Sequence, residues 1–146
     1  MTVDVVTDIV IDRPIAAVAS YAADPTNVPA WYANIDSVEW KTEPNVAVGS
    51  RVAFVARFLG RRLEYTYELA EYEPSVRLVM RTAEGPFPME TTYTWTAVTA
   101  TSTTMELRNR GEPAGFSKVA APFMARAMRR ANRQDLAKLK TLLEST

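Results

Sequence analysis

Tyrosines spaced two residues apart are the side chains in this sequence most able to do chemistry. Tyr65 and Tyr67 lie in the segment LEYTYEL, and Tyr93 precedes Trp95 with the same spacing. Residues two apart share one face of a β-strand, so these hydroxyls and the Asn109 amide could orient the polar groups of a small molecule. The chain has no histidine and no cysteine, which excludes imidazole bases, thiol nucleophiles and thiolate metal sites.

Carboxylate pairs offer another route to acid–base chemistry, and one example is Glu71 with Glu73. The two share one strand face beside a turn, which is typical of a solvated edge rather than of a catalytic pair. No glycine-rich phosphate loop of the Walker or dinucleotide type occurs. We therefore predict no catalytic residue, no metal ligand and no cofactor.

Alternating apolar and polar residues predict the seven strands that position these groups. The alternation is clear in VDVVTDIVI, where the odd-numbered residues share one face. Turn residues separate the later segments, and such short connections favour an antiparallel meander. The predicted strands are residues 3–11, 37–42, 51–58, 62–72, 76–82, 89–98 and 103–110.

Two short helices are predicted between the first two strands. Asp12 is expected to cap the first helix, which stops at Asp24-Pro25. Asn27-Val28-Pro29 begins the second helix, which carries Trp31 and Tyr32.

A long amphipathic helix is predicted from Ser117 to Leu143, with a kink or break near Pro122. One side is apolar, and the other carries a basic stripe that we expect to be solvated: Arg126, Arg129, Arg130, Arg133 and Lys140. Asp135 lies in the middle of the apolar side. It is either buried with a raised pKa, or wet and near Lys138 because the sheet has ended by that turn.

The inward strand faces and the apolar side of the long helix form the candidate binding site. Large apolar residues would supply contact area, tyrosines and an asparagine would orient a ligand, and small or flexible helix residues would leave space. The candidate ligand-binding residues are Trp40, Phe54, Phe58, Tyr65, Tyr67, Met80, Tyr93, Trp95, Asn109, Met124, Ala127 and Met128. We expect a cavity between the sheet and residues 120–131, opening near Gly85-Pro86-Phe87-Pro88.

Composition places the chain among soluble globular domains. Its 146 residues fit one domain, residues 1–146, and 47% of them are apolar. The 17 basic residues balance 17 acidic ones, which argues against nucleic-acid binding by bulk charge. No apolar run approaches the roughly 20 residues that span a bilayer. We expect a cytoplasmic protein, a monomer or weak dimer, without stable membrane insertion.

This order of elements resembles the START-like (SRPBCC) superfamily, the polyketide cyclase/dehydrase and lipid transport group, over essentially the whole chain. Local resemblances are Asp24-Pro25 followed by Trp31-Tyr32 with Asn34-Ile35, the stretch RLVMRT at residues 77–82, and Gly115-Phe116 before the long helix. The resemblance implies an α+β helix-grip fold, in which a curved seven-stranded antiparallel sheet wraps around the C-terminal helix. Members bind lipids, sterols, polyketides or plant hormones, and some cyclise aromatic polyketides.

Three functions stay open at this point. The first is non-enzymatic binding of a small hydrophobic or aromatic ligand, lipid or polyketide-like, in an internal cavity. The second is an enzyme of the cyclase/dehydrase type that works through tyrosine or aspartate groups. The third is a protein-interaction module that uses the basic helix or an exposed rim. No feature of the sequence demands catalysis, so we favour the first.

Overall fold

Seven antiparallel strands form one curved sheet in the computed structural model, which describes residues 2–112 and 121–146. The strands are β1 (Val3–Ile11), β2 (Ile35–Trp40), β3 (Arg51–Phe58), β4 (Arg61–Glu73), β5 (Arg77–Glu84), β6 (Met89–Thr99) and β7 (Ser102–Gly111). Every strand begins and ends within two residues of its predicted bounds, because alternation and turn residues both act locally.

The strand order is β1-β7-β6-β5-β4-β3-β2, so the antiparallel meander from β2 to β7 is confirmed. β1 pairs with β7 at one edge, and the chain then crosses to β2 at the other edge. In the registers, Val52 lies opposite Tyr67 and Tyr93 lies opposite Leu107. Since opposed residues point to the same face, alternate residues of neighbouring strands together build the inner face of the sheet.

The two predicted short helices lie in this crossing connection. They are α1 (Ile15–Ala23) and α2 (Val28–Trp31), joined by a 3-10 turn at Pro25–Asn27. The predicted Asp12 cap is wrong, because Pro14 occupies the cap position of α1 and Asp12 is too far upstream. The Asp12 backbone N–H instead donates to the Glu144 carboxylate at 2.8 Å, which ties the start of the crossing to the end of the chain.

The long helix α3 is described over Ala121–Glu144 and packs against β1 and α2. From Ala121 onward it is continuous, with Pro122 in its first described turn. Predictions that fall on Gly115, Phe116, Ser117 and residue 120 lie outside the described residues. The helix-grip fold itself is confirmed, with a seven-stranded sheet curled around the long C-terminal helix.

Two clusters of buried apolar side chains lie between the inner face of the sheet and the helices. The larger cluster joins α1, α2 and the inner face around Trp31, Leu78 and Leu139. The smaller cluster surrounds Met124 and includes Phe87 at the connection between β5 and β6. The space between these clusters is where the candidate site lies.

Candidate functional site

A cavity of about 150 Å³ lies between the inner face of the sheet and α3, where the two apolar clusters meet. Most of its wall is apolar, and its polar groups come from the residues just after α2, from the inner strands and from α3. The apolar and aromatic part of the wall includes Val3, Val28, Ile35, Phe54, Ala56, Phe58, Leu63, Tyr65, Met80, Phe87, Met89, Met124, Met128 and Ala131. Such a wall, with a few polar groups, is typical of a small-molecule site.

Three aromatic rings from β3 and β4 form one side of the cavity. Phe54 stacks on its cross-strand neighbour Tyr65 with ring centroids 5.4 Å apart, and Tyr65 lies 5.0 Å from Tyr67. Burial raises the pKa of Tyr65 well above 10 and that of Tyr67 to about 12. Both phenols therefore stay neutral at physiological pH and can act as hydrogen-bond donors.

A chain of hydrogen bonds crosses the cavity wall from β4 to α3. Thr91 donates its one hydroxyl proton to Asn109 Oδ1 at 2.7 Å, so Tyr67 must be the donor in the 2.9 Å contact between its hydroxyl and Thr91 Oγ1. Asn109 Nδ2 in turn donates to Asn132 Oδ1 at 3.2 Å. The chain ends at Asn132 Nδ2, which is buried and has no hydrogen-bond partner among the described residues.

Asp135 faces the same cavity one helical turn beyond Asn132. Its residue is only 3% exposed, and its Oδ1 accepts the backbone N–H of Ala33 at 3.1 Å. Burial raises the pKa of Asp135 from 3.8 to about 6, against the opposing effect of the Ala33 bond. The alternative in which Asp135 is wet beside Lys138 is wrong, because α2 and the residues after it cover this turn of α3.

Two further tyrosines lie close to Asp135. The Tyr93 hydroxyl donates to the Tyr32 hydroxyl at 3.4 Å, and both side chains line the cavity. Burial raises the pKa of both phenols, and the nearby Asp135 charge adds to the rise. Two neutral hydroxyl groups, those of Tyr32 and Tyr93, therefore lie close to the Asp135 carboxylate.

The architecture and the whole sequence agree with one protein family. A family model described as polyketide cyclase / dehydrase and lipid transport matches residues 2–144. The chain belongs to this family. No curated protein sequence matches it.

Several solved structures have the same fold as this chain, at low sequence identity to it. A protein of Thermus thermophilus has a TM-score of 0.82 at 18% identity, with 97% of each chain covered. The Zhui aromatase/cyclase of a Streptomyces species has a TM-score of 0.79 at 17% identity, covering 99% of this chain and 94% of that one. A START superfamily protein of Mycobacterium smegmatis has a TM-score of 0.82 at 13% identity, with 97% of each chain covered.

Nine of the twelve residues predicted for the site of this family member line the cavity: Phe54, Phe58, Tyr65, Tyr67, Met80, Tyr93, Asn109, Met124 and Met128. Trp40, Trp95 and Ala127 lie away from its wall, and a role of the twelve residues in ligand binding stays a prediction. Trp95 of β6 belongs to the larger apolar cluster, and Trp40 at the end of β2 packs against that cluster. Ala127 lies at the edge of the helix face that Met124, Met128 and Ala131 present to the cavity.

The sequence analysis did not predict Tyr32, Thr91 and Asn132 as cavity residues, although the periodicity of their elements indicated an inward position for Thr91 and Asn132. Thr91 occupies the inward position between Met89 and Tyr93 in the alternation of β6. Asn132 lies at the border of the apolar sector of α3, one turn before Asp135. Tyr32 follows the end of α2, where no periodicity indicates the direction of a side chain.

Three charged residues of the cavity wall, Arg57, Glu90 and Arg110, each form an ion pair. Arg57 of β3 donates to Asp36 at 2.8 Å, and Glu90 of β6 contacts Arg81 at 2.6 Å and Arg110 at 3.0 Å. Burial alone would raise the pKa of Glu90, but the hydrogen bonds from the two arginines outweigh it and lower that pKa. These pairs leave Asp135 as the one carboxylate of the described cavity wall with no cation bound to it.

Other candidate chemistry receives no support from the described residues. Glu71 and Glu73 are both exposed, as expected for a solvated edge. No group of three acidic side chains in the described part of the chain is placed to hold a metal ion. Within residues 2–112 and 121–146, no helix is long and apolar enough to cross a membrane.

Proposed function

We propose that this protein binds a small apolar or aromatic molecule in the cavity, without catalysis, as a cytoplasmic monomer or weak dimer. The observation that carries the proposal is the cavity of about 150 Å³ with a mostly apolar wall. An apolar cavity of about that volume is large enough for benzene, whereas pockets for drug-sized ligands begin at about 300 Å³. A ligand that lies wholly inside would therefore carry about one aromatic ring.

Energetics favour an occupant. At about 24 cal/mol per Å³, a dry void of this size would cost roughly 4 kcal/mol, a large share of the 5–15 kcal/mol that stabilises a typical domain. The family description, which includes lipid transport, supports binding of an apolar molecule. The name of the Streptomyces aromatase/cyclase supports an aromatic one.

The test uses two tryptophan variants on the same helix and ethylbenzene as the ligand. Ala131 lines the cavity, so Ala131→Trp should fill it and abolish the heat of ethylbenzene binding in calorimetry. Ala127 lies one turn earlier and outside the wall, so Ala127→Trp adds the same side chain and should leave binding within about twofold of the wild type.

Circular dichroism of both variants shows whether they are folded. Absence of ethylbenzene binding to the wild type would contradict the proposal. So would equal binding by a folded Ala131→Trp variant, because the ligand would then lie elsewhere.

Catalysis of the cyclase/dehydrase type is the second candidate, and one observation favours it. The pKa of Asp135 is raised by burial to about 6, close to the pH at which a general acid–base group works best. Turnover of a poly-β-ketone substrate that is lost in Asp135→Asn and in Tyr93→Phe, with both variants folded, would replace the binding proposal by this one.

A further inference from the structure

The polar part of the cavity ends in one unused donor. Each bond in the chain from Tyr67 to Asn132 has a fixed direction, because Thr91 has a single proton and gives it to Asn109. The last member, Asn132, is 4% exposed and keeps an N–H with no acceptor among the described residues. A buried donor without a partner is destabilising, so an acceptor atom that reaches it removes that penalty.

One turn along the same helix lies an unused acceptor. Asp135 accepts one hydrogen bond from Ala33, and its second carboxylate oxygen has no donor among the described residues. Residues three apart on a helix are neighbours on its surface, so the Asn132 amide and the Asp135 carboxylate face the cavity side by side. A group that both accepts and donates a hydrogen bond can satisfy both of them.

We propose that the ligand presents a neutral hydroxyl group, phenolic or alcoholic, which accepts from Asn132 Nδ2 and donates to Asp135, and that carboxylate ligands are excluded. This inference rests on the proposed function and specifies the chemistry of the same site. A hydroxyl carries one donor and two acceptor lone pairs, which matches this pair of groups. A carboxylate has no proton to donate and would place a second negative charge beside Asp135 in a poorly solvated cavity.

The groups around Asp135 do not offset that repulsion. Tyr32 from the end of α2 and Tyr93 from β6 are neutral, and Lys138 on its own helix is exposed. Arg57 and Arg110, the cations of the described cavity wall, are already paired with Asp36 and Glu90. Burial has raised the pKa of Asp135 to about 6, so the carboxylate is charged at pH 8 and largely neutral near pH 5.

The experiment compares 4-ethylphenol with 4-ethylbenzoate by calorimetry at pH 8. The two share one ring and one ethyl group, and the phenol is neutral there because phenolic pKa values are about 10. We expect the phenol to bind at least about tenfold more tightly, a difference of about 1.4 kcal/mol. Between pH 8 and pH 5.2, affinity for 4-ethylbenzoate should rise about tenfold as Asp135 gains its proton, since a benzoate with a pKa of about 4 stays mostly ionised.

Variants of Asp135 and Asn132 test whether these two helix residues cause the preference for the phenol over the benzoate. Asp135→Asn should bring the affinities for 4-ethylphenol and 4-ethylbenzoate at pH 8 to within about threefold of each other. It should also remove most of the rise in 4-ethylbenzoate affinity toward pH 5.2. Glu106→Gln removes an equal charge from the exposed outer position of β7 and should change neither. Asn132→Ala should weaken 4-ethylphenol about tenfold and ethylbenzene less than twofold, because only the phenol uses the amide N–H.

The outcomes separate this inference from the proposed function. Equal affinity for phenol and benzoate at pH 8, with ethylbenzene still bound, would overturn the inference alone. Failure of all three aromatics to bind would overturn both. If Asp135→Asn does not fold, the wild-type pH dependence decides, because benzoate affinity that stays flat from pH 8 to pH 5.2 contradicts the role of Asp135.

Discussion

Asp135 couples the stability of the fold to pH in a direction opposite to that of Asp4, Glu90 and Glu144. Its pKa is 3.8 in an ordinary setting and about 6 in the folded chain because of burial. Between about pH 4 and 6 the folded state therefore binds more protons than the unfolded state, and stability falls as pH rises. Asp4, Glu90 and Glu144 have lowered pKa values and lose their stabilising effect as pH falls.

Comparison of the wild type with Asp135→Asn isolates this single group. Asparagine keeps an oxygen for the Ala33 N–H and carries no charge, so the variant should be more stable at pH 7.5. Two pKa units correspond to about 3 kcal/mol, and screening by solvent that enters the cavity reduces the expected gain to about 2 kcal/mol. Urea denaturation should show this gain at pH 7.5 and almost none at pH 4. Equal stabilities from pH 4 to pH 8 would contradict a buried carboxylate.

Sequence reasoning at the residue scale succeeded where periodicity decides and failed where tertiary contacts decide. The position of Asp135 in the apolar sector of α3 followed from helical geometry, but its burial depends on α2 and Ala33, which are about a hundred residues away. The hydrogen-bond chain through Thr91 likewise joins four separate elements, β4, β6, β7 and α3. No local pattern contains such a chain.

The outer face of α3 behaves as an ordinary solvated surface. Arg126, Arg130 and Arg133 are exposed, and Arg129 is half-buried. None of the four forms an ion pair with a described residue, whereas Lys140 of the same stripe contacts Glu144 at 2.5 Å. The expectation of solvation is confirmed for the three exposed arginines.

Changing the four arginines to glutamine should have little effect on the fold. Glutamine has nearly the helix propensity of arginine, and a surface position of this kind contributes no more than about 0.5 kcal/mol. Thermal denaturation of the single variants should therefore give midpoints within a few degrees of the wild type. Tight RNA or DNA binding at physiological salt that these changes abolish would show instead that the stripe is an interface.

Most element boundaries could be predicted because local chemistry sets them. The first short helix ends before Asp24-Pro25, and Pro29 lies in the first turn of the second. Turn residues separate the strands. The largest differences are in β2, which begins at Ile35 and ends at Trp40, both two residues before the predicted positions, and at the end of β5, two residues after the predicted one. A register shift between Ile35 and Ser37 breaks the alternation there, so the period of two does not reveal the true start.

At the scale of the whole molecule, the cavity results from a packing mismatch between a curved sheet and a helix. The sheet brings large rings such as Phe54 and Tyr65 to its inner face, while α3 offers Ala131 and two methionines opposite them. The sequence predicted this opposition of large and small residues, but the void depends on sheet curvature, which no residue pattern specifies. The predicted opening near Gly85-Pro86-Phe87-Pro88 stays a prediction, although Phe87 lines the wall.

An occupant of this void should stabilise the entire fold, since unfolding destroys the cavity. At ten times its dissociation constant, 4-ethylphenol adds about 1.4 kcal/mol to the free energy of unfolding. For a chain of 146 residues this raises the midpoint of thermal denaturation by about 4 °C, with a further rise of similar size for each added factor of ten in concentration. Ala131→Trp, which fills the cavity, should show no such dependence, and Ala127→Trp should follow the wild type. A midpoint that rises equally in all three proteins would mean that the phenol acts on the surface and that the void contributes nothing to binding.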